Sequence, residues 1–293
     1  MCAMKFVIVI LLLSIVSVFS EKDSMTWLCL EFCEESQSQI KYNLNQLKIH
    51  SNLFTRVSFE KYTLGANSTL IDNELTEVNS EILSMGFESW PLLSSYPHYP
   101  QFMEWMRQVF ANPQPFIKSC IEEAQKYSYT GYNLDWEPTD DVKPGDGEDY
   151  AAFIDTFAKA LHERNLKLTV DIATWSSVWD YDALPLTSAD EFISMGSYTS
   201  NDNSYMNQLN LMKDTFGVDK AGIGLETVNA SNSERLTIDE VAFRFKAIMD
   251  MGFSSIGLWK SPIPPGWLPL IEKYMNTPLI ESPDSSQKNR KEG

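Results

Sequence analysis

Polar residues occupy every second position from Asn133 to Glu137 in the segment YTGYNLDWEP, and two of them are acids. Successive side chains of an extended strand point to opposite faces, so Asn133, Asp135 and Glu137 share one face. The apolar residues between them form the other face, which suits packing against helices. The polar face then points into the interior, where burying two carboxylates costs free energy. This cost favours a chemical role for the pair.

The chemistry that two such carboxyl groups can do is proton transfer. Neighbouring carboxyls raise one another's pKa, and burial raises it further, so one can remain protonated near neutral pH as a general acid. Glu137 lies last in the strand, and Asp135 lies about 7 Å deeper by strand rise. Glu137 is therefore the predicted acid. Because both carboxyls approach a bond from one side, Asp135 is predicted to orient the reactant rather than attack it.

Positioning this pair requires a scaffold, and the chain contains eight strand-like runs, which lie near Trp27, Arg56, Phe87, Gly131, Leu166, Glu191, Lys220 and Ser254. They alternate with amphipathic segments such as 101–126, 148–165 and 238–252, in which Thr237 and Asp239 are candidate caps of the last helix. Eight such units in 293 residues predict a single (β/α)8 TIM barrel, with its site at the C-terminal strand ends. A doubly wound open sheet is the alternative.

The strand with the acidic pair resembles the pattern DGxDxDxE of glycoside hydrolase family 18, which includes chitinases and di-N-acetylchitobiases. Gly131, Asn133, Asp135 and Glu137 occupy the matching places. The segments FIKSCIEEAQKY, KLTVDIATWS, FISMGSY and IGLWK also resemble segments of that family, so the resemblance covers residues 102 to 275. The link from Val228 to Thr237 is too short for the insertion domain that many chitinases carry.

The resemblance implies a role for each matching residue. In that family the 2-acetamido oxygen of the substrate attacks the anomeric carbon and forms an oxazolinium. Glu137 would protonate the leaving oxygen and later activate water, Asp135 would orient the acetamido group, and Tyr198 would donate to its carbonyl oxygen. The other predicted substrate-binding residues lie on or near strand ends and are Asn133, Asp171, Trp175, Glu226, Trp259 and Trp90.

Three positions depart from the family pattern: Thr130 and Asn133 each replace an Asp, and Thr199 replaces the Asp that follows the tyrosine. With an amide at position 133 the inner pair cannot share a proton, so Asp135 is expected to stay ionised. Asp171 or Glu226 are candidates to compensate for Thr199. Because of these departures, a secreted chitinase-like lectin with little activity remains an alternative function. Another barrel glycosidase, of the hyaluronidase type, is a third alternative. Retention of Glu137 favours a glycosidase.

The N-terminus predicts export. Lys5 precedes an apolar run from Phe6 to Leu13, which is typical of a signal peptide over residues 1–20 and predicts a secreted or lysosomal protein. An uncleaved anchor is the alternative. The barrel domain is predicted over 21–280, followed by a polar, disordered tail over 281–293.

Charge and composition narrow the partners. The formal net charge of −17 argues against nucleic acid and anionic membranes as partners. It favours an oligosaccharide or a glycoprotein glycan as the substrate. The protein is expected to be a monomer. The scattered histidines predict no metal, and no cofactor is expected. Cys29, Cys33 and Cys120 remain after signal cleavage, so one disulfide at most forms within the chain. The sequence leaves two alternatives for Cys29 and Cys33, a disulfide between them or free thiols. Asn67 and Asn229 begin glycosylation sequons.

Overall fold

The computed structural model describes residues 22–30, 32–33, 35–73, 76–138, 141–228 and 235–279. The predicted signal peptide, the predicted tail and the sequon at Asn229 lie outside these ranges.

The described strands form one closed barrel, which confirms the predicted (β/α)8 fold without a large insertion domain. The strands are β1 (Asp23–Leu28), β2 (Arg56–Gly65), β3 (Thr69–Asp72), β4 (Glu88–Ser94), β5 (Gly131–Asp135), β6 (Lys167–Ile172), β7 (Glu191–Ser194), β8 (Ala221–Glu226) and β9 (Ser255–Trp259). Strand β1 pairs in parallel with both β2 and β9, and this pairing closes the barrel. The sequence did not predict strand β3. This strand pairs antiparallel with the end of β2 and forms a hairpin outside the barrel ring.

Helices cover the outside of this barrel. They are α1 (Gln37–Ile49), α2 (Thr76–Ser84), α3 (Phe102–Ala111), α4 (Gln114–Tyr127), α5 (Asp146–His162), α6 (Asp202–Phe216), α7 (Ile238–Met251) and α8 (Leu268–Asn276). The predicted helical segment 101–126 is two helices, because Pro113 cannot donate a backbone hydrogen bond there. Thr237 caps α7 in a reciprocal capping box with Glu240. Between β6 and β7 the link contains a 3-10 turn at Leu184–Leu186 and no α-helix.

Two glycines let tryptophan side chains fill the barrel interior. A Cβ atom on Gly131 would lie 2.8 Å from Cζ3 of Trp90, and one on Gly257 would lie 2.6 Å from Cζ3 of Trp27. Both distances are too short for a side chain, so only glycine leaves room for the indoles. Trp27 belongs to an apolar cluster with Met25, Leu92 and Ile193, against which Trp259 packs. This cluster is the packed interior below the C-terminal mouth.

The opposite end of the barrel is closed by a buried cation. The Arg56 guanidinium forms ion pairs with Asp23, at 2.9 Å from Nε, and with Glu191. It also lies 5.1 Å from the ring centre of Trp90, within the range of a cation–π contact. Arg56, Asp23 and Glu191 are each the first residue of a strand. This cluster therefore stabilises the N-terminal end of the barrel.

Candidate active site

Carboxyl groups from several strands meet at the C-terminal mouth of the barrel. Asp135 and Glu226 end β5 and β8, Asp171 lies one residue before the end of β6, and Glu60 lies in β2. The pairing of Asn133 with Thr169 and of Leu134 with Val170, continued by one residue, sets Asp135 beside Asp171. Like charges in a low dielectric repel, so Asp171 and Glu60 both raise the pKa of Asp135.

Asp135 and Glu137 are hydrogen-bonded to each other. Burial raises the pKa of Asp135 well above its ordinary value, and Glu137, Asp171 and Glu60 raise it further. Burial also raises the pKa of Glu137, although its hydrogen bond to Asp135 acts in the opposite direction. The raised pKa values favour a proton shared by the pair and do not support the expectation that Asp135 stays ionised throughout. The Oδ1 atom of Asp135 is buried and has no hydrogen-bond partner within the described residues.

The amide of Asn133 is fully engaged inside the barrel. Its Oδ1 accepts from Trp27 Nε1 at 2.6 Å and from Ser58 Oγ at 3.1 Å. Its Nδ2 donates to Thr169 Oγ1 at 3.1 Å and to Asp171 Oδ1 at 3.0 Å. Asn133 is fully buried, so the structure assigns it to the support of the site and not to its surface.

Tyr198, which follows β7, points its phenol into the acidic cluster. Burial raises its pKa well above the ordinary value, and Asp171 and Glu226 are the next largest causes. The hydroxyl therefore remains protonated and can donate a hydrogen bond. A Cβ atom on Gly224 would clash with the backbone oxygen of Ser194 and lie 3.0 Å from Cε1 of Tyr198, so the glycine in β8 lets both β7 and the tyrosine ring approach closely.

Two of the predicted tryptophans lie at the mouth. Trp259 ends β9, is half-buried, and meets Trp27 edge-on with ring centres 6.3 Å apart. It thus forms a flat apolar surface above the interior cluster. Trp175 follows β6, is 56% exposed, and contacts Trp179 with ring centres 5.6 Å apart. Such ring faces are suited to stacking against apolar faces of a ligand.

The structure does not bring Trp90 to this site. Trp90 lies early in β4, is 1% exposed, and lines a cavity together with Arg56 and Glu191 at the N-terminal end of the barrel. Its indole Nε1 donates to Glu88 at 3.0 Å. The prediction that Trp90 binds substrate is therefore at odds with its position, because the mouth end of β4 is Ser94, four residues further along.

Glu60 is a site residue that the sequence reasoning missed. Its Oε2 accepts from the backbone nitrogens of Leu30 at 2.6 Å and Phe32 at 3.1 Å. The loop that carries these donors is closed by a disulfide between Cys29 and Cys33, which decides between the two cysteine alternatives; Cys120 is free and buried. The signal was present, because Arg56, Ser58 and Glu60 alternate with apolar residues as the acids of β5 do.

A cavity of about 210 Å³ adjoins Glu137 on the side of the loop between β4 and α3. Its lining is Ser95, His98, Tyr99, Pro100, Phe102, Met103, Glu137 and Pro138. Ser95 Oγ accepts from the backbone nitrogen of Glu137 at 3.2 Å, which ties the two walls together. Arg107 of α3 also binds the loop after Glu137, through ion pairs of 2.8 Å to Asp141 and to Asp146.

Neither a metal site nor a membrane segment is found in the described ranges. No three His, Cys, Asp or Glu side chains there are grouped so that they could hold a metal ion. None of the helices in the same ranges combines the length and apolar character that a membrane crossing needs.

Comparison with solved structures places the fold among chitinases and related enzymes. A chitinase from Chromobacterium violaceum superimposes with a TM-score of 0.72 at 13% identity, covering 87% of this chain and 99% of that one. The spore cortex-lytic enzyme SleL of Bacillus megaterium gives a TM-score of 0.74 at 12% identity, over 89% of this chain and 76% of that one. The family 18 chitinase ChiB from the chitin utilization locus of Flavobacterium johnsoniae gives 0.63 at 12% identity, over 87% and 94%.

These likenesses concern the path of the chain. No family model matches the sequence, and no curated protein matches it significantly. At such low identity the shared feature is the barrel and its length, and the residues of the mouth must carry any statement about chemistry.

Proposed function

We propose that the protein is a glycoside hydrolase that cleaves β-linked N-acetylglucosamine, in chitin oligosaccharides or in the core of N-glycans, with retention of configuration. One observation carries the proposal: a buried carboxyl, Asp135, lies beside Glu137 and has an oxygen with no hydrogen-bond partner in the described residues. A 2-acetamido group offers the N–H that this oxygen lacks. Its carbonyl oxygen can then accept from the protonated hydroxyl of Tyr198.

The arrangement suits attack by the substrate itself. Both carboxyls of the pair come from β5 and its end, so neither lies opposite the other across a bound sugar. The acetamido oxygen attacks the anomeric carbon as Glu137 gives its proton to the leaving oxygen. The one proton that the pair shares leaves through Glu137, so both carboxyls are then ionised and Asp135 faces the cationic oxazolinium. Glu137 next deprotonates the water that opens this ring.

In this proposal the groups on the two sides of the scissile glycosidic bond bind to different features, the apolar surface of Trp259 and the cavity beside Glu137. The sugar that carries the acetamido group stacks on the half-buried Trp259, in front of Asp135 and Tyr198. The leaving group lies on the side of Glu137, where the adjoining cavity of about 210 Å³ is lined by His98 and Tyr99. The acidic chain disfavours a polyanionic ligand and suits a neutral glycan. Secretion or lysosomal delivery through residues 1–20 belongs to the same proposal.

The test is a comparison of Glu137→Gln with Glu148→Gln, an exposed position on α5. The amide at position 137 keeps the shape but cannot transfer a proton, so kcat is expected to fall by roughly 10² to 10⁴-fold, while sugar binding persists. The substrates are chitobiose, chitin oligomers, a high-mannose glycoprotein and hyaluronan. Activity of Glu137→Gln within about twofold of the parent would refute the assignment of the acid. Binding without turnover by the parent would indicate the lectin.

The mechanism has its own test. NMR of the first product is expected to show the β-anomer, and a matching glucoside without the acetamido group is expected to be inert. A thiazoline that mimics the oxazolinium is expected to inhibit, because a site complementary to the transition state binds its analogues tightly. A fresh α-anomer would show inversion by an activated water and would end the substrate-assisted proposal.

A further inference from the structure

The orientation of the Asn133 amide is fixed by its neighbours. An indole N–H can only donate, so the atom that faces Trp27 Nε1 at 2.6 Å must be the carbonyl oxygen of the amide. The NH2 group therefore faces β6, where it donates to Asp171 Oδ1 at 3.0 Å. Asp171 is the acceptor in this bond, and a donated N–H stabilises the ionised form of a carboxyl.

Resting on the proposed function, we propose that Asp171 is a positioning residue of the reaction, which supplies from β6 the negative charge that the family pattern has at position 133. In this chain an amide stands at position 133, and the carboxyl lies on the neighbouring strand β6. An aspartate at position 133 would still accept from Trp27 and Ser58, but it would set two carboxyls face to face across 3.0 Å. Asn133 and Asp171 are therefore matched to each other.

The negative charge resides on Asp171 in preference to Asp135 because of their hydrogen bonds. Burial raises the pKa of Asp171 well above its ordinary value, as it does for Asp135, but the N–H that Asn133 donates and the guanidinium of Arg56 both act in the opposite direction. Asp135 receives no such donor, has one oxygen without a partner in the described residues, and is hydrogen-bonded to another carboxyl. This difference in donors favours one proton shared by Asp135 and Glu137 and a negative charge on Asp171, and that charge makes loss of the shared proton unfavourable.

This charge acts at both stages of the proposed reaction. In the free enzyme it keeps the shared proton on the pair, so that Glu137 can deliver it to the leaving oxygen. After the transfer Asp135 is ionised, and Asp171 adds a second anion close to the oxazolinium. No proton is gained or lost by Asp171 itself. The groups that face Asp171 are Asn133, Asp135 and Glu137 of β5 and its end, Arg56 of β2, Glu191 of β7, Tyr198 after β7 and Tyr150 of α5.

The experiment measures the pH at the midpoint of the titration of the Asp135–Glu137 pair in three variants of the whole protein. The side-chain carboxyl carbons of Asp and Glu are labelled with ¹³C, and the Glu137 resonance is assigned with Glu137→Gln. In Asp171→Asn the midpoint of the pair is expected to fall by about one pH unit, since a neighbouring like charge is removed. The alkaline limb of kcat/KM is expected to fall with it, so activity one unit above the parent's limb drops roughly tenfold.

The swap variant Asn133→Asp with Asp171→Asn separates charge from shape. It keeps one carboxyl and one amide at these positions, so its midpoint is expected to return to within about 0.3 units of the parent. The matched control is Thr169→Val, which removes the other acceptor of Asn133 Nδ2 without changing charge and is expected to leave the midpoint unmoved. If Asp171→Asn does not fold, the swap alone decides, because a lowered midpoint in the swap contradicts the proposal.

The outcomes distinguish this inference from the proposed function. If the parent turns over substrate but the midpoint in Asp171→Asn equals that of the parent, the proposed role of Asp171 is wrong. The proposal that the protein is a glycosidase then still stands. An equal shift in Thr169→Val also overturns it, because the hydrogen-bond network and not the charge would then set the midpoint. Failure of the parent to cleave any of the acetamido substrates overturns the proposed function, whatever the titrations give.

Discussion

Replacing Trp27 by phenylalanine tests how the barrel interior supports the site. The indole of Trp27 is 3% exposed, donates to Asn133 Oδ1 at 2.6 Å, and lies beneath Trp259. Phenylalanine keeps an aromatic ring but loses the donor and the outer ring carbons, which lie next to the backbone of Gly257. The variant is therefore expected to fold with a lower free energy of unfolding and with Asn133 less firmly oriented.

The expected loss follows from these contacts. Asn133 Oδ1 retains the bond from Ser58, so the missing donor costs about 1 kcal/mol, the low end of the penalty for a weakened buried hydrogen bond. The lost ring carbons leave a small hole, which costs roughly 1–2 kcal/mol. The sum of about 2–3 kcal/mol corresponds to a fall of roughly 5–10 °C in Tm for a domain of this size.

Thermal unfolding followed by circular dichroism measures the fall in Tm of Trp27→Phe. The control is Trp175→Phe, because the same change at a residue that is 56% exposed is expected to shift Tm by little. Gly257→Ala extends the test. Alone it forces a Cβ atom against Trp27 and is expected to destabilise strongly, but in the Trp27→Phe background the added methyl fills the vacated space. A Tm of Trp27→Phe within 2 °C of the parent, or a fully additive double variant, would refute this account of the interior.

Two further predictions concern the mouth. The pKa of Asp135 is higher in the folded than in the unfolded state, so its contribution to stability is present below the unfolded value of about 3.9 and is lost as the pH rises. Asp135→Asn is therefore expected to raise Tm at pH 7 while reducing turnover, and an equal gain at pH 3 would contradict the linkage. Gly224→Ala would set a Cβ atom against the backbone oxygen of Ser194 and 3.0 Å from Tyr198, so it is expected to displace both β7 and the Tyr198 ring and to lower kcat. Gly266→Ala, whose Cβ would lie 3.5 Å from Ile238, should not lower kcat, and equal activity in both variants would contradict this account of the packing.

Much of the architecture is encoded locally and was therefore predictable. Strand alternation and helical periodicity depend on residues a few positions apart, so the eight barrel strands and the polar face of β5 follow from the sequence. The capping box at Thr237 is equally local. The antiparallel strand β3 was missed, because a four-residue hairpin strand with exposed or half-buried side chains carries little alternation signal.

The sequence by itself determined which side chains face the barrel interior, since alternation decides the face. It did not determine their depth along the barrel axis, and Trp90 shows the consequence: it faces inward but lies beside Arg56 at the far end. Depth depends on strand register, which is set by pairing between residues distant in sequence. The raised pKa of Asp135 also depends on the tertiary structure, because its causes include burial and the carboxyls of Asp171 and Glu60, which come from other strands. Electrostatic energies depend on distance in space, and only the closed barrel fixes those distances.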